Sequence, residues 1–106
     1  MNCKAHSLLL EAERHALLKN KSKAVETYRK AILVAGRSGM LQLQALANER
    51  LTEYLFEMSE ADDAKYTLAE AMKLYAEWGA MAKLTQLRKK YRSLCDGFSK
   101  AGNYQT

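Results

Sequence analysis

The sequence predicts an all-α protein, built as a stack of antiparallel helix pairs with about five helices in all. Its 106 residues include no proline and only five glycines, and apolar residues recur at three- and four-residue steps in five successive segments. Proline interrupts helices and glycine weakens them, so their scarcity favours long helices. Steps of three and four place one buried stripe on each helix. We therefore expect helices and no strands.

The first helix is predicted from about Lys4 to Lys19. Its buried stripe consists of Ala5, Leu9, Ala12 and Ala16, widened by Leu8 and Leu17. The pattern then stops at Asn20 to Ser22, where Asn20 or Ser22 can accept hydrogen bonds from the free amides of the next helix. We therefore expect a short hairpin turn at this point.

The second helix is predicted over about Lys23 to Arg37. Its stripe consists of Ala24, Tyr28, Ala31 and Ala35, with Val25 and Ile32 beside it. Small residues that alternate with one large ring let two helices approach closely. Gly36 and Gly39 follow, and both offer the left-handed backbone conformation that ends a helix.

The third helix, about Leu41 to Met58, is apolar on more than one side, which predicts a central position in the fold. Its main stripe consists of Ala47, Leu51, Tyr54 and Met58, and Leu43, Leu46 and Leu55 lie near it. After it, Ser59 to Asp62 (Ser-Glu-Ala-Asp) predicts a capping box, in which the hydroxyl and the acid bond each other's backbone amides. This box would open the fourth helix.

In the fourth helix, apolar residues follow every third or fourth position until Gly79 ends it: Ala61, Ala64, Leu68, Ala71, Tyr75 and Trp78. The fifth helix, about Ala80 to Cys95, is predicted to bury Leu84, Leu87, Tyr91 and Leu94. Periodicity ends at Asp96. We therefore predict one helical domain over residues 1–95 and a flexible C-terminal tail over residues 96–106.

The formal charge of +5 is divided unevenly along the chain. Residues 1–38 hold eight basic and three acidic residues, residues 39–79 hold three and eight, and residues 80–106 hold six and one. Alternating signs of this kind favour attraction between neighbouring layers, whereas a dedicated nucleic-acid binder shows a continuous basic face. The basic cluster from Arg88 to Arg92 is accordingly interpreted as a solvated helix end rather than a nucleic-acid site.

The expected location is the cytoplasm. No apolar run approaches the roughly 18 residues of a membrane span, and the first residues lack the features of a secretory signal. The only cysteines, Cys3 and Cys95, lie near opposite ends, which gives neither a disulfide framework nor a zinc site.

The second and fourth helices share a motif. Ala24-x3-Tyr28-x2-Ala31 returns further along the chain as Ala64-x3-Leu68-x2-Ala71, and a repeated helix pair of this kind is typical of tetratricopeptide-type repeats. From His15 to Tyr91, the chain resembles the tetratricopeptide-like region of large sensor proteins. The residues that carry this resemblance are 24–35 (AVETYRKAILVA), 39–49 (GMLQLQALANE) and 75–91 (YAEWGAMAKLTQLRKKY).

Those sensor proteins join a serine/threonine-kinase-like domain, an AAA-type ATPase, this helical region, a GAF domain and often a sensor histidine kinase. The resemblance implies a right-handed solenoid that scaffolds contacts with a protein partner or with neighbouring domains in signal transduction. None of the enzymatic domains fits within 106 residues. What the resemblance implies is therefore a non-catalytic scaffold.

The sequence offers no catalytic, cofactor-binding or metal-binding residues. No phosphate loop, nucleophile elbow or zinc signature occurs, and His6 and His15 are nine residues apart, which does not suit a metal on one helix face. An alternative function is a histidine phosphotransfer bundle with His15 as phosphoacceptor. Residues 15–19 faintly resemble the helix that carries the phosphoacceptor in that family, although Leu18 stands where the family has lysine.

Two surfaces of the predicted fold are candidates for contacts with other protein chains. Tyr75 and Trp78 could line a peptide-binding groove, but a Trp that follows the helix stripe is more often part of the core, and we predict core here. The first helix exposes at least one of Leu8, Leu10 or Leu18, and the fifth exposes Met81. Weak self-association through these helices is therefore expected, opposed by their positive charge and strengthened by salt.

Overall fold

The computed structural model describes residues 4–95, and within this range the protein is all-helical, without strands. Its helices are α1 (Lys4–Leu17), α2 (Lys21–Arg37), α3 (Leu41–Glu57), α4 (Ala61–Trp78) and α5 (Met81–Lys90). A short helical turn over residues 92–95 follows α5. None of the helices over residues 4–95 is long and apolar enough to cross a membrane.

Helix boundaries fall within two residues of the predicted ones for the first four helices. The fifth is shorter than predicted, because the helix is interrupted at Tyr91, whose backbone leaves the helical conformation at φ −116° and ψ 43°. Tyr91 is nevertheless buried, with its ring edge-on to Phe56 at 5.4 Å between centroids. The predicted tail over residues 96–106 and Cys3 lie outside the described residues.

Helices that follow one another along the chain pack side by side. α1 packs along α2 and α3 along α4, while α2 also contacts α3 and α4 contacts α5. Alanines occupy these crossings because the absence of a long side chain lets the backbones approach. Six of the seven residues that the repeated motif and its stripe place in the core are buried: Ala24, Tyr28, Ala31, Ala64, Leu68 and Ala71. The seventh, Trp78, is treated with the groove below.

The predicted central position of α3 is confirmed. This helix is buried on several sides and includes the polar residues Asn48, Glu49 and Thr52 among its buried positions. The hydroxyl of Thr52 lies 2.7 Å from that of Thr67 on α4, a hydrogen bond inside the α3/α4 pair. Buried hydroxyls need such partners, since an unpaired one loses its bonds to water without replacement.

Four connections between helices share one backbone geometry and are evenly spaced along the chain. Lys19, Gly39, Ser59 and Gly79 all have positive φ, at 60°, 70°, 62° and 85°. At each, the N–H of this residue bonds the carbonyl three residues earlier, and the next N–H bonds the carbonyl five residues earlier. This is the Schellman arrangement, which satisfies carbonyls at a helix end. Equal spacing therefore produces helices of nearly equal length.

This geometry corrects two expectations. The capping box at Ser59 is wrong: Ser59 ends α3 in the left-handed conformation, and the N-cap of α4 is Glu60, without a side-chain cap bond. Gly36 stays helical inside α2, where an added Cβ would lie 2.9 Å from the Nε2 atom of Gln44. Its small size therefore serves close packing. Asn20 does cap α2, accepting from the Lys23 N–H at 3.3 Å.

Ion pairs connect the oppositely charged segments. Among the described residues, the pairs between different helices or their caps are Glu13 with Arg50, Lys21 with Glu60, Glu49 with Lys83, and Glu53 with Lys90. All but the first join a cation of an outer segment to an acid of the middle one, as the charge pattern predicts. The three pairs other than Glu49 with Lys83 are exposed and contribute only about 0.2–1 kcal/mol each, so they favour one helix order more than they stabilise it.

We predict that enlarging the alanines at the helix crossings destabilises the fold. Ala31→Leu and Ala71→Leu should each cost about 1–3 kcal/mol, because a crossing without spare volume must move apart. Urea unfolding measures the change in free energy. Ala69→Leu, on the exposed side of α4, is the matched control and should unfold like the wild type. Equal midpoints for all four proteins would contradict the close crossings.

We also predict that glycine at the two non-glycine turn positions stabilises the protein. Lys19→Gly and Ser59→Gly should each add about 1 kcal/mol, because a side chain in the left-handed region is strained and glycine is not. Thermal unfolding of each variant measures this. Ser22→Gly, within the first turn of α2, should instead lower stability, and a loss of stability in Lys19→Gly or Ser59→Gly would refute the shared turn geometry.

Candidate protein-binding groove

An open groove of about 880 Å³ lies between the start of α3, the end of α4 and the first turns of α5. We name it the Trp78 groove. It is lined by His6, Gly39, Met40, Gln42, Leu43, Leu46, Tyr75, Trp78, Ala80, Ala82, Lys83 and Gln86. Its position follows from the turn at Gly79, which directs α5 beside the end of α4.

Trp78 is 47% exposed, so its predicted place in the core is wrong. The stripe of α4 carries it in the right phase, but Trp78 is the last residue of the helix, and the chain leaves at Gly79 before another element covers the indole. One side of the indole packs on Tyr75, with 6.1 Å between ring centroids and a 30° tilt. The exposed part of the Trp78 side chain lines the groove.

Beneath the indole, Tyr75 and Lys83 share a buried carboxylate. Glu49 on α3 is only 8% exposed, and its Oε1 atom accepts a hydrogen bond of 2.7 Å from the Tyr75 hydroxyl. Its Oε2 atom lies 3.0 Å from the Lys83 ammonium. A buried carboxylate is costly unless it is paired and hydrogen-bonded, and here both oxygens have partners. The three side chains therefore join α3, α4 and α5 at the groove wall.

This arrangement also fixes the Tyr75 hydroxyl and the Lys83 ammonium at the groove. The Lys83 ammonium lies 5.8 Å from the centre of the Tyr75 ring, within the range of a cation–π contact. Burial, assisted by the hydrogen bond to Glu49, raises the pKa of Tyr75 above its ordinary value of 10.0. Tyr75 therefore stays protonated near neutral pH and acts as a hydrogen-bond donor rather than as a base.

The lining combines apolar surface with positive charge. Met40, Leu43 and Leu46 supply aliphatic surface from the beginning of α3, and among the described residues the ionisable ones that line the groove are His6, Tyr75 and Lys83. Such a surface suits an extended peptide that inserts an apolar side chain and satisfies its backbone at the polar rim. Sequence reasoning did not find Glu49. The sequence did contain one signal of its buried position, because Glu49 lies in the middle of a helix that is predicted to be buried on several sides.

His15, the alternative phosphoacceptor, lies on α1 away from this groove. Its side chain is 16% exposed, and its Nε2 atom is 3.7 Å from the Oε1 atom of Glu11. A carboxylate at this nitrogen repels an incoming phosphoryl group, which is itself anionic. This geometry gives the phosphotransfer hypothesis no support.

The remaining sequence candidates are dispersed. Arg88, Lys89 and Arg92 are exposed, and Lys90 lies 3.4 Å from Glu53. His6 lines the Trp78 groove, and Cys95 packs partly buried against the core. Within residues 4–95, no group of three or more His, Cys, Asp or Glu side chains is arranged to hold a metal ion.

Comparison with known proteins gives no relative for this chain. No model of a protein family matches it, no curated protein is similar, and no solved structure is similar.

We predict that the fold loses stability at alkaline pH. Burial raises the pKa of Tyr28 to about 12 and that of Tyr75 further. Because the unfolded tyrosines ionise first, near pH 10, the stability these groups contribute is fully present below that pH and is lost as pH rises through the folded pKa values. Urea unfolding between about pH 8 and about pH 12 measures the loss.

The Tyr75→Phe variant tests the assignment to the buried tyrosine. It should be less stable at neutral pH by about 1–3 kcal/mol, since Glu49 loses a buried donor, but should decline less steeply at high pH. Tyr66→Phe, at an exposed position of α4, should follow the wild-type profile. Identical slopes in wild type and Tyr75→Phe would contradict this account.

Proposed function

We propose that this chain is a non-catalytic, tetratricopeptide-like scaffold that binds a protein segment in the Trp78 groove. The observation that carries the proposal is the exposed indole of Trp78, held on Tyr75 at the edge of an apolar groove between successive helix pairs. Aromatic side chains in this setting supply much of the binding energy in protein interfaces, because they bury a large area with few rotatable bonds.

The repeat character is supported by the backbone as well as by the motif. The evenly spaced left-handed turns give every helix pair the same length in sequence, and this length equals the separation of Ala24 from Ala64 and of Ala31 from Ala71. Helix pairs repeated at a fixed period form solenoids whose grooves bind extended partners. We infer that α1/α2 and α3/α4 are two such pairs and that α5 begins a third.

The side chains at the wall of the groove suit binding rather than catalysis. Tyr75 and Lys83 are both held by Glu49, so the donor and the cation serve to position groups rather than to react. A partner gains a flat aromatic surface from Trp78 and a fixed positive charge from Lys83. Groups of these two kinds are the ones by which proteins recognise the backbone and side chains of a peptide.

The place of this scaffold in a cytoplasmic signalling sensor rests on the resemblance of residues 24–35, 39–49 and 75–91 alone. In that setting the groove would hold a neighbouring domain or a separate protein. The alternative, phosphotransfer through His15, is distinguished by incubation with a phosphorylated response regulator. Only phosphotransfer gives acid-labile phosphate that is lost in His15→Ala.

We predict that Trp78 is required for peptide binding and not for folding. A phage-displayed library of random peptides is selected on the full chain, and the binding of enriched peptides is followed by the fluorescence of Trp78, the single tryptophan. Trp78→Ala should lower affinity by about 30-fold, or about 2 kcal/mol, in a separate calorimetric titration. Its urea midpoint should stay near that of the wild type.

Tyr66→Ala is the matched control, since Tyr66 is an exposed aromatic residue of α4 outside the groove. It should bind the enriched peptides like the wild type. Peptides that bind Trp78→Ala as tightly as the wild type would defeat the assignment of the site, and a selection that enriches no peptide would defeat the proposed binding function.

A further inference from the structure

A second surface lies along α1 and its C-terminal end, away from the Trp78 groove. Leu10, Leu17 and Leu18 are 70%, 83% and 64% exposed, so the prediction that Leu17 widens the buried stripe of α1 is wrong. They are spaced by seven and eight residues, which places them on one side of the helix, opposite the buried Ala5 and Ala12. Three leucines exposed to this extent along one helix are unusual for a surface that faces only water.

The repeat shows that these positions need not be leucine. One helix pair further on, the position of Leu10 is Arg50, which pairs with Glu13, and after the next pair it is Lys90, which pairs with Glu53. The position of Leu17 is Glu57 in α3. At the position of Leu10, the later helices therefore carry cations that pair with the preceding helix pair, whereas α1 carries a leucine. The position of Leu18 is Met58, which is also apolar and exposed.

The charges between these leucines are self-complementary. Glu11 and Arg14 are both exposed and lie three residues apart on the same side of α1. If two copies of α1 cross antiparallel near residues 12 and 13, Glu11 of each copy lies opposite the partner's Arg14. A two-fold axis repeats the pair, so a single surface supplies both halves of the contact.

We propose that a second copy of this chain covers the α1 surface formed by Leu10, Glu11, Arg14, Leu17 and Leu18, through antiparallel packing of the two α1 helices. The leucines exclude water from between the helices, and two Glu11–Arg14 pairs fix the antiparallel direction.

The test is sedimentation velocity of the full chain over a hundredfold concentration range in about 0.15 M salt, which screens the repulsion between two copies of net charge +5. The wild type should shift from monomer to dimer. Leu10→Gln/Leu17→Gln should weaken dimerisation by at least about tenfold, because apolar area is no longer buried. Leu33→Gln, at an exposed leucine of α2, should dimerise like the wild type.

Charge reversal tests the antiparallel direction. Glu11→Arg places cations opposite each other and should weaken the dimer, whereas Glu11→Arg/Arg14→Glu restores the pairs and should recover it. Circular dichroism checks that each variant is folded, which is expected because all these side chains are exposed. A strict monomer at every concentration, an unaffected Leu10→Gln/Leu17→Gln dimer, or a double charge variant as weak as Glu11→Arg would overturn the proposal.

Discussion

The evenly spaced left-handed turns are the constraint on which the described fold depends. Because Lys19, Gly39, Ser59 and Gly79 all reverse the chain with the same two hydrogen bonds, each helix between them has nearly the same length and meets its neighbour over its whole extent. Equal helices allow buried alanines to lie along the contacts among α1 to α4. The cost is strain at Lys19 and Ser59, where a side chain occupies a backbone region that glycine adopts freely.

Helix existence, core alanines and the glycine turns at Gly39 and Gly79 were predictable, because each depends on local periodicity or on glycine's backbone freedom. The left-handed conformations of Lys19 and Ser59 were not, since neither residue type signals positive φ, and a serine followed by acids is equally typical of a cap. Only their even spacing with the two glycines indicated them. Local propensity and the repeat disagreed here, and the repeat prevailed.

At the groove, the helix periodicity predicted which side of α4 carries Trp78, but it did not predict that no following helix covers the indole. Burial at the last residue of a helix depends on where the next helix starts, and this is a property of the Gly79 turn rather than of the stripe. Glu49 was missed for a related reason. A charged side chain enters the interior only when partners from other helices meet it, and Tyr75 and Lys83 come from the two helices that follow α3.

The first and last of the described helices, α1 and α5, each have a side that no neighbouring helix covers, and these two sides differ in polarity. On α3, the positions that α4 covers include Glu49 and Thr52; the equivalent positions on α5 and the turn after it are Lys89 and Arg92, both exposed. Water therefore solvates that side of α5 without cost, as it does at the polar end of a repeat array. On α1 the corresponding position is apolar, because Leu10 stands where the later helices carry the paired cations Arg50 and Lys90. In the proposed dimer the apolar surface of α1 is therefore the covered one, since the corresponding side of α5 is cationic.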